Sequence, residues 1–419
     1  MAGRDGRLAE WRMRYPSLAE LEGPARRRLP YFADDFLHGG TGDELALSRN
    51  IAALRGVEVV PRYAVDISKV DTSVELFGRT YSAPVVISPV GLDGSIWPGA
   101  TRILAEAARD AGIPYMSSTM ATATVETVGS ILPKGFWFQL YGFPAEEHRV
   151  TFDLVRRAEA AGADALAVTL DIPVPAKRVR DMRNGLTVPF RTTPKMAVAA
   201  LLHPAWLAAL AREGMPQFAN LAAYCRPGAR KAEIDLFVRN GRAGAGITWE
   251  VLKRIRDKWP RAMMIKGVLH PADAEQAASI GLDGIVVSNH GGRQFDASPA
   301  PIDVLPAIRA AVGKRIQVLM DSGIMSGADV MKAIACGADA VLVGRAFMLG
   351  LAAIGEDGGR HVAETFKEEL RIVLAQTGAC DLAGIGRLAK RHRSAWSPEE
   401  FRVPADAAPA VSRVKGACQ

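Results

Sequence analysis

The chain has 419 residues, of which 49% are hydrophobic and 23% are charged. This is the composition of an ordinary soluble globular protein, and it excludes a disordered chain and a fibrous repeat. Lysine and arginine outnumber aspartate and glutamate by 52 to 45, but the basic residues are scattered, so nucleic-acid binding is not predicted. The four cysteines show no C-x-x-C spacing, which argues against a disulfide framework and a structural metal site.

The sequence carries no signal for secretion or for a membrane-spanning helix. Residues 1–18 alternate charged and apolar side chains and contain no apolar core of the kind found in signal peptides. The longest apolar run, 196–211, is interrupted by His203 and Pro204 and is shorter than the roughly 20 residues that a span needs. We therefore expect a cytoplasmic protein.

Residues 1–82 are predicted to form an N-terminal extension that caps one end of the main domain. Helices are expected over 17–22 and 24–38, followed by a β-rich stretch over 57–77.

Residues 83–385 alternate short apolar runs with longer segments of helical spacing. The runs lack the alternation of a half-exposed strand, which indicates strands that helices cover. Eight repeated βα units predict an α/β fold, a (β/α)8 TIM barrel. The eight predicted strands lie at 84–90, 114–119, 136–141, 165–171, 263–268, 284–290, 317–323 and 340–345.

Two segments do not follow this alternation of strands and helices. Residues 186–246 form a predicted insertion after the fourth strand, and we interpret it as a lid because active sites lie at the carboxyl ends of barrel strands. It contains an amphipathic-looking piece over 195–212. Residues 386–419 are expected to form a C-terminal tail, loosely ordered from Trp396 onward.

Polar residues at the carboxyl ends of barrel strands face the active site. Glycines after the seventh and eighth strands, together with Arg345, predict a phosphate site. Lys266, at the end of the fifth strand, has three interpretations: a Schiff-base lysine, a cation beside an anionic ring, or a core lysine whose ammonium reaches the surface.

His290 is the sharpest candidate for a catalytic residue. It ends the sixth strand between Asn289 and two glycines, with Arg293 three residues further on. Such a pair can hold an anionic group on the guanidinium while the imidazole removes a proton. Arg178 offers a second guanidinium, or else a surface charge, and Asp171 can stabilise the protonated imidazole. The alternative for His290 is a structural histidine.

At these residues the sequence resembles the FMN-dependent α-hydroxy-acid oxidases and dehydrogenases, the family that includes glycolate oxidase, lactate oxidase and mandelate dehydrogenase. The resemblance covers about 25–385 and is greatest for the mandelate and bacterial lactate dehydrogenase branch. It rests on the ordered motifs PVGLDGSIWPGA (89–100), FQLY (138–141), TLDIP (169–173), KRVRDMRN (177–184), IKGV (265–268), SNHGGRQFD (288–296), DSG (321–323) and VGRAFMLGLAAIGEDG (343–358).

The resemblance implies FMN as the cofactor. It implies oxidation of an (S)-2-hydroxy acid, or a close anionic analogue, to the 2-oxo product. The residues implied to hold FMN are Pro89, Val90, Gly91, Ser118, Gln139, Thr169, Lys266, Ser288, Asp321, Ser322, Gly323, Gly344 and Arg345.

The resemblance also implies roles at the reacting centre. His290 would be the base, supported by Asp171, and Arg178 and Arg293 would hold the anionic group. Tyr141 would hydrogen-bond the substrate hydroxyl or carboxylate. The ammonium of Lys266 would stabilise the negative charge of the reduced flavin.

Partners are implied in the same way. The electron acceptor would be oxygen, a quinone or a redox protein, and the family is commonly tetrameric, so a homo-oligomer is expected. In the mandelate and lactate dehydrogenase relatives the segment equivalent to the insertion is associated with the membrane surface. The apolar run around Trp206 permits such peripheral contact at the inner membrane face, and a mobile lid is an equally economical interpretation.

Two departures from the family pattern bear on the substrate and the cofactor. Phe36 stands where family members place a tyrosine that reaches the substrate carboxylate, which opens the site to a bulkier substrate or to a phosphonate. Met325 and Ser326 replace an arginine pair near the FMN phosphate, so weaker FMN binding is expected. Two alternatives stay open: a non-redox, isomerase-like barrel that binds FMN or phosphate, and a barrel that only binds ligands.

Overall fold

The computed structural model describes residues 2–401, with residues 2–5 as backbone only. Its centre is a closed barrel of eight parallel strands, in which the last strand pairs with the first. The (β/α)8 prediction is confirmed, and each predicted strand is present. Barrel strands 1 to 8 are Val85–Ile87, Tyr115–Ser118, Phe136–Leu140, Ala165–Thr169, Ala262–Val268, Gly284–Val287, Gln317–Met320 and Ala340–Val343.

Helices cover the outside of the barrel, which is why the strands are apolar almost throughout. In chain order, the helices that follow strands 1 to 3 are Asp93–Ile96, Ala100–Ala111, Val125–Ile131 and Ala145–Ala160. Between strands 4 and 5 lie Val179–Arg183, Pro194–Leu201, Pro204–Glu213, Ala219–Ala222, Lys231–Asn240 and Trp249–Lys258. After strands 5 to 8 come Pro271–Ser279, Pro301–Val312, Gly327–Ala335, Arg345–Ile354, Gly358–Thr377 and Leu382–Gly386.

The N-terminal extension contains helices Ala2–Arg14, Glu22–Arg28, Tyr31–His38 and Leu45–Arg55, a 3-10 turn at Leu18–Leu21, and short strands at Val57–Val59, Val74–Leu76 and Arg79–Tyr81. The helix predicted over 24–38 is wrong as a single element, because the chain is extended at Leu29. The residue before a proline is disfavoured in the α region, and Pro30 follows Leu29.

The extension reaches both ends of the barrel. The hairpin formed by Val74–Leu76 and Arg79–Tyr81 closes the amino-terminal end, where Phe77 and Tyr81 make edge-to-face contacts with Trp137 at ring distances of 5.4 and 6.2 Å. Helix Tyr31–His38 instead lies at the carboxyl end, where its last carbonyls accept hydrogen bonds from arginines that follow strands 6 and 8. We call these two ends the floor and the mouth.

The insertion is attached to the barrel at several points. Its helices Pro194–Leu201 and Pro204–Glu213 meet at an angle of 105°. Trp206 is buried and its indole N–H donates to the carbonyl of Ile96 (2.9 Å). Further along, the buried amide of Asn220 donates to the carbonyl of Ser118 (3.2 Å). These contacts hold this part of the insertion against the loops after strands 1 and 2.

The predicted C-terminal tail is ordered as far as it is described. Lys390–His392 pairs antiparallel with Val57–Val59, and the His392 ring lies 3.0 Å from the carboxylate of Asp303. A 3-10 turn follows at Pro398–Phe401. The remainder of that predicted tail, 402–419, lies outside the described residues.

Candidate active site

A continuous arc of polar side chains lines the mouth at the ends of five adjacent strands, 2 to 6. The hydroxyl of Ser118 donates to the Gln139 amide oxygen (2.8 Å), and the amide nitrogen of Gln139 donates to the hydroxyl of Thr169 (2.9 Å). Lys266 is the register partner of Thr169, and its ammonium donates to the hydroxyl of Ser288 (2.7 Å). All five side chains are buried, although each comes from a different βα unit.

The Lys266 ammonium is also paired with a carboxylate. Its Nζ lies 2.5 Å from Oδ2 of Asp321, at the end of strand 7. The other oxygen of Asp321 accepts from the hydroxyl of Ser322 (2.7 Å), and that hydroxyl accepts from the amide of Gly291 (3.0 Å). A chain of contacts therefore runs from the buried lysine to the glycine that follows His290.

His290 is paired with Asp171 across the mouth. Its Nδ1 lies 3.0 Å from Oδ1 of Asp171. Because an ionised carboxylate only accepts hydrogen bonds, Nδ1 carries the proton and Nε2 is left with its lone pair. Burial lowers the pKa of His290, and Asp171 opposes that shift. For Asp171, burial opposes ionisation, but His290 and Lys266 outweigh it and its pKa is lowered. At neutral pH the pair is a neutral imidazole beside a carboxylate.

The loop that carries His290 depends on its two glycines. His290, Gly291 and Gly292 all have positive φ, at 58°, 67° and 75°. A Cβ on Gly292 would lie 2.6 Å from the amide nitrogen of Leu47, and one on Gly291 would lie 2.8 Å from the Arg345 guanidinium. The glycines are needed because helix Leu45–Arg55 and an arginine press against the loop.

Two buried asparagines tie that loop to the N-terminal extension. The side-chain amides of Asn50 and Asn289 donate to each other's oxygens, at 2.9 and 2.7 Å. The same Asn289 oxygen accepts from the amide of Gly292 (3.1 Å). Asn50 was not predicted as a site residue, because it lies some 240 positions before the loop that it orients and belongs to no local motif.

The two predicted anion-binding arginines are adjacent. The Nε of Arg178 donates to the carbonyl of Arg293 (3.2 Å). One carboxylate oxygen, Oδ2 of Asp181, lies 3.9 Å from Arg178 and 3.7 Å from Arg293. Burial lowers the pKa of both arginines, and that of Arg293 is lowered strongly. Burial raises the pKa of Asp181, and the two guanidiniums oppose that shift.

Arg293 is held in place by the end of helix Tyr31–His38. One terminal nitrogen donates to the carbonyls of Phe36 (2.8 Å) and Gly39 (2.9 Å). The guanidinium also lies 5.0 Å from the centre of the Phe36 ring. The carbonyl end of a helix is its negative end, so the helix both orients and stabilises this cation. Phe36 thus contacts Arg293 through both its ring and its carbonyl.

Arg345 is buried and lies beside this cluster. Three of its N–H groups donate to carbonyls, those of Leu37 (3.2 Å), Gly291 (3.0 Å) and Gly39 (3.1 Å), which leaves two for a ligand. Burial lowers its pKa to about 10. The helix that it begins, Arg345–Ile354, has no side-chain cap at Gly344. A Cβ on Gly344 would make only ordinary van der Waals contacts, with Ser88 and Val90.

The corresponding helix after strand 7 is different. Ser326 caps Gly327–Ala335 by accepting from the amide of Asp329 (3.2 Å), and the Gly327 amide donates to the Glu369 carboxylate (2.7 Å). The amide of Met325 donates to the carboxylate of Asp329 (3.0 Å). Where the family pattern has two arginines, this chain thus has backbone amides that donate to two carboxylates, one amide at the first residue of the helix and one just before its cap.

Tyr141 and the loop after strand 1 complete the mouth. Burial raises the pKa of Tyr141, and Asp171 adds to the shift, so its hydroxyl stays protonated and can donate. Pro89, Val90 and Gly91 follow strand 1, and a Cβ on Gly91 would lie 3.1 Å from the Met120 side chain. Gly91 thus leaves room for the side chain of Met120.

The chain belongs to the FMN-dependent dehydrogenase family, whose model matches residues 25–391. This match confirms the resemblance noted from the motifs. The chain is an FMN-dependent enzyme of the group that contains hydroxy-acid dehydrogenases and oxidases, and its cofactor is FMN. The non-redox alternative has no support from the match.

The similarity to curated relatives extends over nearly the whole length of those proteins. An L-lactate dehydrogenase from Caulobacter vibrioides is 40% identical over 88% of this chain and 96% of that protein. A 4-hydroxymandelate oxidase from Amycolatopsis orientalis is 40% identical over 90% and 98%, and an (S)-mandelate dehydrogenase from Pseudomonas putida is 36% identical over 86% and 90%. These relatives include both dehydrogenases and an oxidase.

The solved structures that resemble this chain are also hydroxy-acid dehydrogenases and oxidases. A structure described as the monotopic membrane protein (S)-mandelate dehydrogenase superposes with a TM-score of 0.83 at 34% identity, over 90% of this chain and 99% of that one. A mandelate oxidase superposes with a TM-score of 0.77 at 38% identity, over the same shares. In residues 2–401 of this chain, no single helix is long and apolar enough to span a bilayer, although the bent pair Pro194–Leu201 and Pro204–Glu213 is so when the two helices are taken together.

Proposed function

We propose that the enzyme oxidises an (S)-2-hydroxy acid to the 2-oxo acid. The observation that carries this proposal is the pairing of His290 with Asp171 at 3.0 Å on the side of the mouth where the adjacent guanidiniums of Arg178 and Arg293 lie. Anion binding and proton removal then occur within one cavity. The substrate loses two electrons and two protons: one proton would go to Nε2 of His290, and the two electrons and the other proton would go to the flavin.

Each residue has a separate task in this proposal. Arg178 and Arg293 bind and orient the substrate carboxylate, and the hydroxyl of Tyr141 donates to the substrate. Asp171 keeps the proton on Nδ1 of His290 and stabilises the imidazolium that forms when Nε2 accepts a second proton. Phe36 offers a ring in place of a hydroxyl, which favours a side chain that is larger than a methyl group.

The mouth fits FMN by the chemistry of its side chains. The polar arc of Ser118, Gln139, Thr169, Lys266 and Ser288 offers donors and acceptors to the edge of a flat heterocycle. The buried ammonium of Lys266 suits a ring that becomes anionic. Bound FMN supplies the oxidant, taking the two electrons that the substrate loses.

The phosphate end of the cofactor has a separate candidate site. We assign it to Gly344 and Arg345, where a helix starts without a side-chain cap and two arginine N–H groups remain available. Asp321, Ser322 and Gly323 contribute the neighbouring loop, together with Pro89, Val90 and Gly91 on the other side of strand 8. The carboxylates of Glu369 and Asp329, which accept hydrogen bonds from Gly327 and Met325, make the start of helix Gly327–Ala335 unsuited to phosphate.

The decisive variant is His290→Ala. Because the imidazole is assigned the proton, we expect reduction of the bound flavin by a 2-hydroxy acid to slow by about 10²–10⁴-fold, with FMN retained. Anaerobic stopped-flow absorbance measures the rate. His270→Asn, at an exposed histidine whose ring caps helix Pro271–Ser279, is the matched control and should reduce its flavin normally. Near-normal reduction in His290→Ala would disprove the assigned role.

A screen of 2-hydroxy acids under the same conditions identifies the substrate side chain. If no 2-hydroxy acid reduces the flavin of a protein that has FMN bound, the proposed reaction is wrong. Re-oxidation by air, by a quinone or by a redox protein then identifies the electron acceptor.

We also propose peripheral contact with a membrane through helix Pro194–Leu201. Val198, Leu201 and Leu202 are 56%, 68% and 72% exposed and lie together at the bend of the helix pair. Within the apolar run around Trp206, the tryptophan itself is buried against Phe32 and Ile96, so the exposed residues of the run would make the contact. The exposed leucines supply an apolar surface of the kind that inserts into an interface.

Vesicle sedimentation tests the membrane proposal. The double variant Leu201→Ser and Leu202→Ser should no longer sediment with anionic vesicles, whereas Tyr63→Ser, which removes a 79% exposed side chain elsewhere, should sediment as wild type. Unchanged sedimentation of the double variant would exclude this surface.

A further inference from the structure

Asp181 occupies a position that neither the motifs nor the proposed reaction explains. It lies on the short helix Val179–Arg183, three residues after Arg178, and its side chain is only 7% exposed. One of its oxygens faces Arg178 at 3.9 Å and Arg293 at 3.7 Å. These distances are longer than hydrogen bonds but short enough for a strong charge interaction in a buried site.

The neighbouring charges are already assigned to other partners. Lys266 is paired with Asp321, and the carboxylate of Asp171 faces His290. Arg345, the other buried cation beside Arg293, is assigned to the phosphate of the cofactor. The carboxylate of Glu44 is paired with Arg180, which lies on the same short helix as Asp181. Asp181 is thus the carboxylate that both anion-binding guanidiniums share.

We propose that Asp181 is an internal counter-ion that sets the net charge of the Arg178 and Arg293 pair to +1, and that it thereby selects a substrate carrying a monoanionic carboxylate over one carrying a dianionic phosphonate or phosphate. The inference rests on the proposed function, because it assigns the anion of that substrate to these two arginines. Asp181 acts through the arginines and is a positioning residue, not a catalytic one.

The physical basis is charge balance in a buried site. Two guanidiniums and one carboxylate leave a single positive charge, which a carboxylate neutralises. A dianion would leave an uncompensated negative charge out of water beside Asp181, and buried unpaired charge is strongly unfavourable. Repulsion of the wrong ligand is a common source of specificity. Since Phe36 has no hydroxyl that could help to discriminate between anions, charge has more weight as a criterion on this side of the mouth.

Calorimetric titration of the oxidised holoenzyme tests this inference without turnover. Phenylacetate and benzylphosphonate have the same side chain, and neither carries the hydroxyl that is oxidised. At a pH where the phosphonate is a dianion, wild type should bind phenylacetate more tightly. Asp181→Asn should shift the ratio of the two affinities towards the dianion by about tenfold or more, and a tenfold shift corresponds to about 1.4 kcal/mol.

Two further variants separate charge from shape. Asp181→Glu keeps the carboxylate and should retain the wild-type preference for the monoanion. Asp35→Asn removes a carboxylate that pairs with Arg180 at 3.6 Å, outside the arginine pair, and should leave the ratio unchanged. If Asp181→Asn does not fold, wild type alone still decides, because tighter binding of the dianion would overturn the proposal.

Each remaining result supports or overturns one of the two proposals. An unchanged ratio in folded Asp181→Asn overturns the role of Asp181 while leaving the proposed reaction intact. Wild-type holoenzyme that binds neither analogue, together with a flavin that no 2-hydroxy acid reduces, overturns the proposed function instead.

Discussion

The two ends of the barrel are built from the same repeated unit but for different purposes. At the floor, a hairpin from the N-terminal extension packs apolar rings into the barrel, and the surrounding strand residues are fully buried. At the mouth, the buried groups are charged or polar, and two residues there have a left-handed backbone conformation. His290 and Ser322 are non-glycine residues with φ of 58° and 81°, and both lie at strand carboxyl ends.

This difference indicates which end carries stability and which carries chemistry. The floor consists of interlocked rings on a hairpin, and its contribution is the free energy of apolar burial. The mouth keeps two residues in a disfavoured conformation and holds cations out of water, and such features persist only where surrounding contacts impose them. Substitutions at the floor should therefore change unfolding, and substitutions at the mouth should change reaction rate and ligand binding.

The largest effect is expected at the floor from Trp137→Ala. The Trp137 side chain is fully buried between Phe77 and Tyr81, so its removal leaves a cavity and should lower the free energy of unfolding by about 3–5 kcal/mol. Urea titration followed by circular dichroism measures the loss. Trp396→Ala, at a partly exposed tryptophan, should cost far less. If both variants lose the same amount, the floor is not the stabilising end.

At the mouth, Asp171→Asn should change rate more than stability. Asp171 keeps Nδ1 of His290 protonated, and its loss should lower kcat/KM by about 100-fold, within the range of general base catalysis. The pH profile carries a second signature. His290 must be neutral to act, and Asp171 opposes the lowering of its pKa by burial. Without Asp171 the pKa falls further, so the acid limb of kcat/KM should move to lower pH.

A surface variant tests whether these effects are specific to Asp171. Asp110→Asn removes an exposed carboxylate paired with Arg109 and should leave both the rate and the acid limb unchanged. An acid limb that stays in place or moves to higher pH in Asp171→Asn would contradict the pairing with His290.

The sequence predicted the barrel more completely than it predicted the mouth. Each of the eight strands was located because a strand covered by helices is apolar along its whole length, and that pattern is local. The pairing of His290 with Asp171 followed from motif positions at strand ends. Asn50 and Asp181 were missed because their contacts are made between segments distant in sequence, Asn50 with the loop at Asn289 and Asp181 with Arg293.

The burial of Trp206 was missed for a related reason. An apolar run with flanking charges has the same sequence pattern whether it faces a membrane or a neighbouring helix. Here the bend between Pro194–Leu201 and Pro204–Glu213 turns Trp206 inward and leaves Leu201 and Leu202 exposed.

The spacing within KRVRDMRN did carry one signal for Asp181. Arg178 and Asp181 are three residues apart, which places them on one face of a helical turn.

The smallest predicted effect isolates the strain at the mouth. Ser322 has a φ of 81°, and its hydroxyl donates to Asp321 (2.7 Å) and accepts from the Gly291 amide (3.0 Å). Ser322→Ala and Ser322→Gly both lose these hydrogen bonds, but only glycine adopts this φ without cost. The glycine variant should therefore be more stable than the alanine variant by about 1 kcal/mol in urea unfolding. Because the lost hydrogen bonds cancel in this difference, equal stabilities would mean that the mouth stores no backbone strain at Ser322.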